Sequence, residues 1–334
     1  MCPKTTTPPQ EPHSARYQPK NPLKSPRFGD VATFNRLPYV PDFDDEDVDV
    51  VLLGIPFDGG TTYRPGARFA PRSVREASAL NRNFNPHLGV HVFERLSVVD
   101  GGDVGVNPLQ IQKTFTNIEE HITRVHEAGA RCISIGGDHS ILLPDLRAIR
   151  KKFGEITLIQ FDAHTDTADS AWGEKYHHGT PIRRAIEEGL LVGPKIFQIG
   201  IRGPLTSPTQ EDYVKEQGIQ VLDIESFYDL TKRSEFLSKI RKVAGNGPCY
   251  LSFDVDGVDP AYAPGTGTPV VGGMTSFEAL QTVRGLQGLH FVGADVVEIS
   301  PAYDHADITS LLGAALVFEM LSLMAKSETK PSLR

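Results

Sequence analysis

Eight short apolar runs constrain this chain more than any other feature: residues 48–55, 96–99, 131–135, 156–161, 195–199, 219–222, 249–253 and 291–297. Several are apolar almost throughout instead of alternating, the pattern of parallel strands covered on both faces. Helix-length stretches lie between them, such as 111–128, 234–244, 276–286 and 308–324. Strand–helix alternation of this kind predicts an α/β fold, a parallel sheet with helices on both sides. The 334 residues would fit one large domain or two small ones. With no linker composition after residue 40 and no internal repeat, one domain is expected.

The polar clusters fall at informative places. Gly136-Gly137-Asp138-His139 follows one strand, Asp162-Ala163-His164-Thr165-Asp166 follows the next, and Asp254-Val255-Asp256 ends a later one. Glu298 closes the last. Open α/β sheets bind ligands at the carboxyl ends of their strands, so four chain-distant clusters are expected to meet in one crevice.

Asp162, His164 and Asp166, at i, i+2 and i+4, share one face if the chain stays extended. Asp254 and Asp256 repeat the i, i+2 spacing, and His139 adds a second imidazole. Four carboxylates and two imidazoles are too many for one zinc with an open position. They suit two divalent metal ions that share carboxylates. Oxygen-rich ligation favours manganese, although nickel, cobalt or zinc would bind by raw affinity. With both ions, a bridging hydroxide and Glu298 counted, the pocket is negative overall and suits a small cationic substrate such as a guanidinium. The guanidinium carbon is a poor electrophile, and metals supply the required nucleophile by lowering the pKa of water from about 15.7 to about 7.

Each cluster also has a plainer explanation. Asp-x-His-x-Asp alone is more often a capped turn, Asp254 and Asp256 could cap the turn signalled by Gly257 and Pro260, and His139 could start a helix. Matching positions on three strands favour the metal reading. His87, His91, His121, His126, His290 and His305 lack ligand-like spacing.

The rest of the composition excludes more than it suggests. A net charge of −8 argues against a nucleic-acid partner. Cys2, Cys132 and Cys249 form no CxxC pair, so a reducing, cytoplasmic setting is expected. No apolar stretch approaches a membrane span on this reading, and no membrane partner is expected. Residues 1–26 are rich in Pro and Thr without an apolar core. The expected organisation is an arm over 1–35, a catalytic domain over 36–326 and a tail over 327–334.

Three segments carry a family resemblance: Gly136-Gly137-Asp138-His139-Ser140, Asp162-Ala163-His164-Thr165-Asp166-Thr167 and Ser252-Phe253-Asp254-Val255-Asp256-Gly257-Val258-Asp259-Pro260. With Pro264-Gly265-Thr266-Gly267-Thr268-Pro269 and Val297-Glu298-Ile299-Ser300-Pro301, they resemble the ureohydrolases (arginases, agmatinases and guanidino-acid hydrolases) over residues 36–323. The resemblance implies a three-layer α/β/α fold with a parallel sheet of about eight strands. It implies two manganese ions, one held by His139, Asp162, Asp166 and Asp254, the other by Asp162, His164, Asp254 and Asp256. His178 matches the family's proton shuttle, and Glu298 the carboxylate that orients the guanidinium. The implied reaction is attack of a bridging hydroxide on the guanidinium carbon. Asp166 helps stabilise the intermediate, and Asp166 or His178 delivers the proton that releases urea and an amine or ammonia. A homotrimer or homohexamer is also implied.

Tyr63-Arg64-Pro65-Gly66-Ala67-Arg68-Phe69, Tyr176-His177-His178-Gly179-Thr180-Pro181 and Ile201-Arg202-Gly203-Pro204 resemble the agmatinase branch, nearest guanidinobutyrase and proclavaminate amidinohydrolase. Trp172 lies between a ligand segment and His178. Its ring would wall off a short pocket, stack on a guanidinium or pack in a subunit interface. A closed pocket would favour free guanidine and nickel, an open one a guanidino acid or agmatine. Arg202 is the candidate partner for a substrate carboxylate. A formimino substrate, or a non-catalytic binding role, are the rival readings.

Overall fold

The computed structural model describes residues 16–43, 47–205 and 207–327. Its centre is an eight-stranded sheet of β1 (Val50–Gly54), β2 (Val98–Asp103), β3 (Arg131–Ile135), β4 (Thr157–Phe161), β5 (Ile196–Ile201), β6 (Gln220–Asp223), β7 (Pro248–Asp254) and β8 (His290–Val297). The strands lie in the order β2-β1-β3-β8-β7-β4-β5-β6, and every neighbouring pair is parallel. Each expected strand is present. The main shift is at β2, which runs on through Asp100. That acid is buried because Phe34 N, Arg75 Nε and Gly102 N all donate to its carboxylate.

The described helices are α1 (Ala70–Ala77), α2 (Val92–Arg95), α3 (Ile111–Glu127), α4 (Leu142–Phe153), α5 (Pro181–Glu187), α6 (Thr209–Gln217), α7 (Ile224–Tyr228), α8 (Leu230–Ala244), α9 (Ser276–Arg284) and α10 (Ile308–Lys326). One face of the sheet packs against α1, α2 and α7 to α10, the other against α3 to α6. The three-layer arrangement is therefore complete. Helix α8 begins four residues before the sequence pattern suggests, because Asp229 caps it by accepting from Thr231 N and Lys232 N. Helix α10 corrects one expectation: it is long and apolar enough to cross a membrane by length and composition. Most of it is buried between α1, α9 and the sheet, where an apolar helix belongs.

Of the expected arm, residues 16–33 lie along the surface, tied down by Tyr17 N to Ser97 Oγ and Lys20 N to Arg36 O. Residues 1–15 and 328–334 lie outside the described residues. Strands β1 and β2 step along the sheet one way and β4 to β6 step the other. The reversal creates a crevice at the carboxyl ends of the strands in between, the place where such sheets bind ligands.

Candidate metal centre

Sheet register brings the clusters together. Ile135 pairs with Val296, Val296 with Phe253, and Phe253 with Phe161, one row across β3, β8, β7 and β4. The residues just beyond that row are therefore neighbours: Asp162 after β4, Asp254 at the end of β7, Glu298 after β8. His139 joins them because Gly137 (φ +79) turns the chain sharply after β3, where a Cβ would sit 2.8 Å from two backbone oxygens. Asp166 arrives differently from the extended path expected: its own backbone is left-handed (φ +52) and folds the carboxylate back. Such a conformation persists only where its surroundings hold it, commonly at a working site.

Two ligand groups result. His139, Asp162 and Asp254 form one, Asp162, His164 and Asp256 the other. Around the first, His139 Nδ1 lies 2.9 Å from Asp166 Oδ2, 3.1 Å from Asp162 Oδ2 and 3.3 Å from Asp254 Oδ2. Around the second, His164 Nδ1 lies 3.1 Å from Asp256 Oδ2 and 3.5 Å from Asp162 Oδ1. Donor atoms at right angles on an octahedral ion, with bonds of about 2.1 Å, are about 3.0 Å apart. Asp162 gives one oxygen to each group.

The protons show what these contacts are. The Ser252 hydroxyl donates to Asp295 Oδ1 (2.8 Å) and so accepts from His139 Nε2 (2.9 Å). That fixes Nε2 as the donor and leaves Nδ1 as the nitrogen that faces the carboxylates. His139 Nδ1 and Asp166 Oδ2 are buried without a hydrogen-bond partner. Nδ1 thus faces three carboxylates, an arrangement that a proton on Nδ1 or a metal cation between them makes favourable. The electrostatics agree: burial, then Asp256 and Asp162, push Asp254 well above the usual carboxylate range. Burial and Asp162 push Asp166 up to about 6. The donor set fits divalent ions.

The supporting residues were not visible as such in the sequence. Gln160 Nε2 donates to Asp162 Oδ2 and is itself held by Gln198. Ala163 N donates to Asp256 Oδ1. Ser252→Ala should leave His139 Nε2–H buried and unpaired, freeing the ring to turn. The expected loss is about 10- to 100-fold in metal affinity, read by titrating the stripped protein. Unchanged affinity would mean that the Ser252 contact does not orient the ring.

His178 and Glu298 form a second unit. His178 Nδ1 lies 2.9 Å from Glu298 Oε1, which also accepts from His139 N (2.9 Å). His178 Nε2 meets the Thr62 hydroxyl at 2.6 Å and Thr62 N at 3.2 Å. Burial opposes charge on this ring, but Glu298 pulls its pKa up to about 9. Thr62 N donates to Nε2, which favours the ring with its proton on Nδ1, while the Thr62 hydroxyl can turn to accept from a protonated Nε2. Glu298 is buried, left-handed in its backbone (φ +64), and its Oε2 has no hydrogen-bond partner.

A cleft of about 420 Å³ opens over the ligands, lined by His139, His164, Asp166, His178 and Asp254 among others. Glu298 does not line it. Neither do two residues that the sequence suggested. Trp172 is 84 % exposed. Ala171 and Glu174 exchange both backbone hydrogen bonds around Trp172 (φ +51) and Gly173 (φ +85). This tight hairpin turn carries the ring outward, so it neither walls the pocket nor stacks in it. Arg202 points the other way, donating to the carbonyl oxygens of Gly200, Asp256, Gly257, Val258 and Val270 at 2.6–3.4 Å. It ties the loop after β5 to the loop after β7 and is not placed to meet a substrate carboxylate. Arg202→Met is expected to cost about 3 kcal/mol in chemical denaturation, since several buried carbonyls lose their donor. A stable variant with a raised KM would restore the substrate role. Thr62 and His177, by contrast, line the cleft; no motif covered Thr62, and His177 stood in the quoted segment only beside His178.

The arginase family profile matches residues 48–322. The chain is 46 % identical to guanidinopropionase of Pseudomonas aeruginosa, covering 94 % of this chain and 98 % of that one. It is 42 % identical to the same organism's guanidinobutyrase, over 92 % and 97 %. The structure of proclavaminate amidinohydrolase from Streptomyces clavuligerus superimposes with a TM-score of 0.86 at 39 % identity, covering 91 % of this chain and all of that one. The chain belongs to the arginase family and is a hydrolase of the amidinohydrolase class.

Proposed function

We propose that this chain hydrolyses the guanidino group of a guanidino acid, of the guanidinopropionate or guanidinobutyrate kind, to urea and an amino acid. The observation that carries the reading is the pair of ligand groups sharing Asp162 beneath an open cleft. His139, Asp162, Asp166 and Asp254 would hold one divalent ion, and Asp162, His164, Asp254 and Asp256 the other, manganese before nickel on ligand hardness. When bound, the ions supply a nucleophile from water at neutral pH and offset the developing negative charge.

The protein's own groups do the rest. Glu298 Oε1 holds the His178 ring by Nδ1, and Thr62 holds it by Nε2. His178, which lines the cleft, keeps a proton available to the leaving amine. Glu298 Oε2 is buried, without a partner and off the cleft lining, so its proposed contact with a guanidinium N–H needs the substrate to reach below that lining.

Two observations bear on the substrate. Trp172 does not cap the cleft, and a volume of about 420 Å³ exceeds what free guanidine needs. Beyond the ligands, the lining groups include Thr165, Thr167, His177 and Gln210, which offer donors to a carboxylate. Apart from the metal ligands, no acid lines the cleft among the described residues to receive agmatine's ammonium. Relatives named guanidinopropionase and guanidinobutyrase support the same reading. A homotrimer or homohexamer is proposed with it, to be read by light scattering.

The test is to purify the protein, identify its metal, and measure urea from guanidinopropionate, guanidinobutyrate, agmatine, guanidine and arginine. Highest kcat/KM on a guanidino acid is expected. Turnover of guanidine or arginine alone would overturn the substrate assignment, and formamide release from a formimino compound would overturn the reaction.

A further inference from the structure

A second cavity, of about 120 Å³, lies where the N-terminal segment crosses the turn after α1. Lys20, Arg27, Arg36 and Arg82 line it, and among the described residues no acidic one does. That is a marked local excess in a chain of net charge −8. Asp30 offsets part of it from the side, pairing with Lys20 (2.9 Å). Among the described residues no carboxylate pairs with Arg27, Arg36 or Arg82.

Arg36 is buried, and among the described residues its guanidinium donates to Ser25 alone, through the carbonyl (3.1 Å) and the hydroxyl (2.8 Å), the hydroxyl in turn donating to Asp30. A buried guanidinium normally meets an anion, because desolvating it without one is costly. Beside it, Asn35 is 5 % exposed, and its Nδ2 has no hydrogen-bond partner. Its Oδ1 accepts from Asn81 Nδ2, which fixes the amide at the cavity wall. Asn35 and Arg36 both hold left-handed backbone (φ +53 and +58), conformations that non-glycine residues keep only under constraint. Cations from three chain segments and an unused buried donor thus converge on a space the size of a small anion.

We propose that this cavity binds a small polyvalent oxyanion of the phosphate class and clamps residues 20–36 onto the turn after α1. The site is separate from the metal cleft and requires nothing of the hydrolytic reaction. Arginine forks match phosphate oxygens, and the volume excludes anything as large as a nucleotide.

The test is thermal denaturation of the metal-loaded full chain against inorganic phosphate, with acetate and chloride at matched ionic strength. Phosphate should raise Tm saturably by about 2 °C or more, and acetate should not. Arg27 and Arg82 are not fully buried, so a double R27Q/R82Q variant should fold, keep its urea release and lose the phosphate shift. Absence of a saturable shift in the parent, or an equal shift in the variant, overturns the proposal. Light scattering on both proteins closes the remaining route: no phosphate shift together with a changed oligomer in the variant would assign these cations to an acidic partner surface.

Discussion

Asp162→Asn is expected to lower the urea-releasing rate about a thousandfold and to leave fewer than two ions bound per chain. Asp162 stands in both ligand groups of the structure, with Oδ2 beside His139 Nδ1 and Oδ1 beside His164 Nδ1. An amide has a single acceptor oxygen, so one of the two groups would gain an NH₂ where a lone pair is needed. Neither orientation escapes. Gln160 Nε2 already donates to Oδ2 and His164 N to Oδ1, so the new NH₂ also faces a donor on either side. Losing a charged shared ligand forfeits about 4 kcal/mol of charge stabilisation, which is close to a thousandfold in rate. Metal analysis and a urea assay on the same preparation check it. Full occupancy with full rate would show that Asp162 is not a shared ligand.

How much of this could be read beforehand follows from where each signal resides. The eight strands were legible because a parallel strand covered on both faces must be apolar nearly throughout, as in the wholly buried β1, β3 and β4. The position of the ligand clusters was legible because a carboxylate directly after such a run lies at one sheet edge. The end of β2 was not, since Asp100 looks like a turn residue until Arg75 and Phe34 N surround it. Asp166 reached the site by a left-handed kink, which i+4 spacing does not encode. The orientations of Trp172 and Arg202 were not legible for a related reason. Chain proximity to His178 says nothing about a hairpin closing between Ala171 and Glu174. An arginine serves backbone carbonyls as readily as a substrate carboxylate. Thr62, Ser252 and Asp295 act through partners 116, 113 and 43 positions away in the chain, so only the fold reveals them.

Glu298→Gln separates two roles that the sequence alone could not. A carboxylate whose task is to grip the guanidinium should, when neutralised, raise KM and leave the pH profile in place. The geometry assigns more to it: Oε1 accepts from His178 Nδ1 and from His139 N, tying the proton-holding ring to the metal-ligand loop. The His178 imidazolium persists up to pH about 9 because Glu298 outweighs the cost of burial. A group with a raised pKa holds its proton below that value and loses it as pH rises through it. The parent enzyme should therefore lose kcat on an alkaline limb near pH 9. Gln keeps the size and one acceptor but removes the attraction, so burial acts with less opposition and the limb moves at least one unit toward acid. At pH 8 a one-unit shift roughly halves the protonated fraction and a two-unit shift cuts it about tenfold, and kcat should fall by that factor. The expected result is a shifted kcat–pH profile at saturating metal. An unmoved limb with only KM raised would make Glu298 a binding residue and leave the proton to another group.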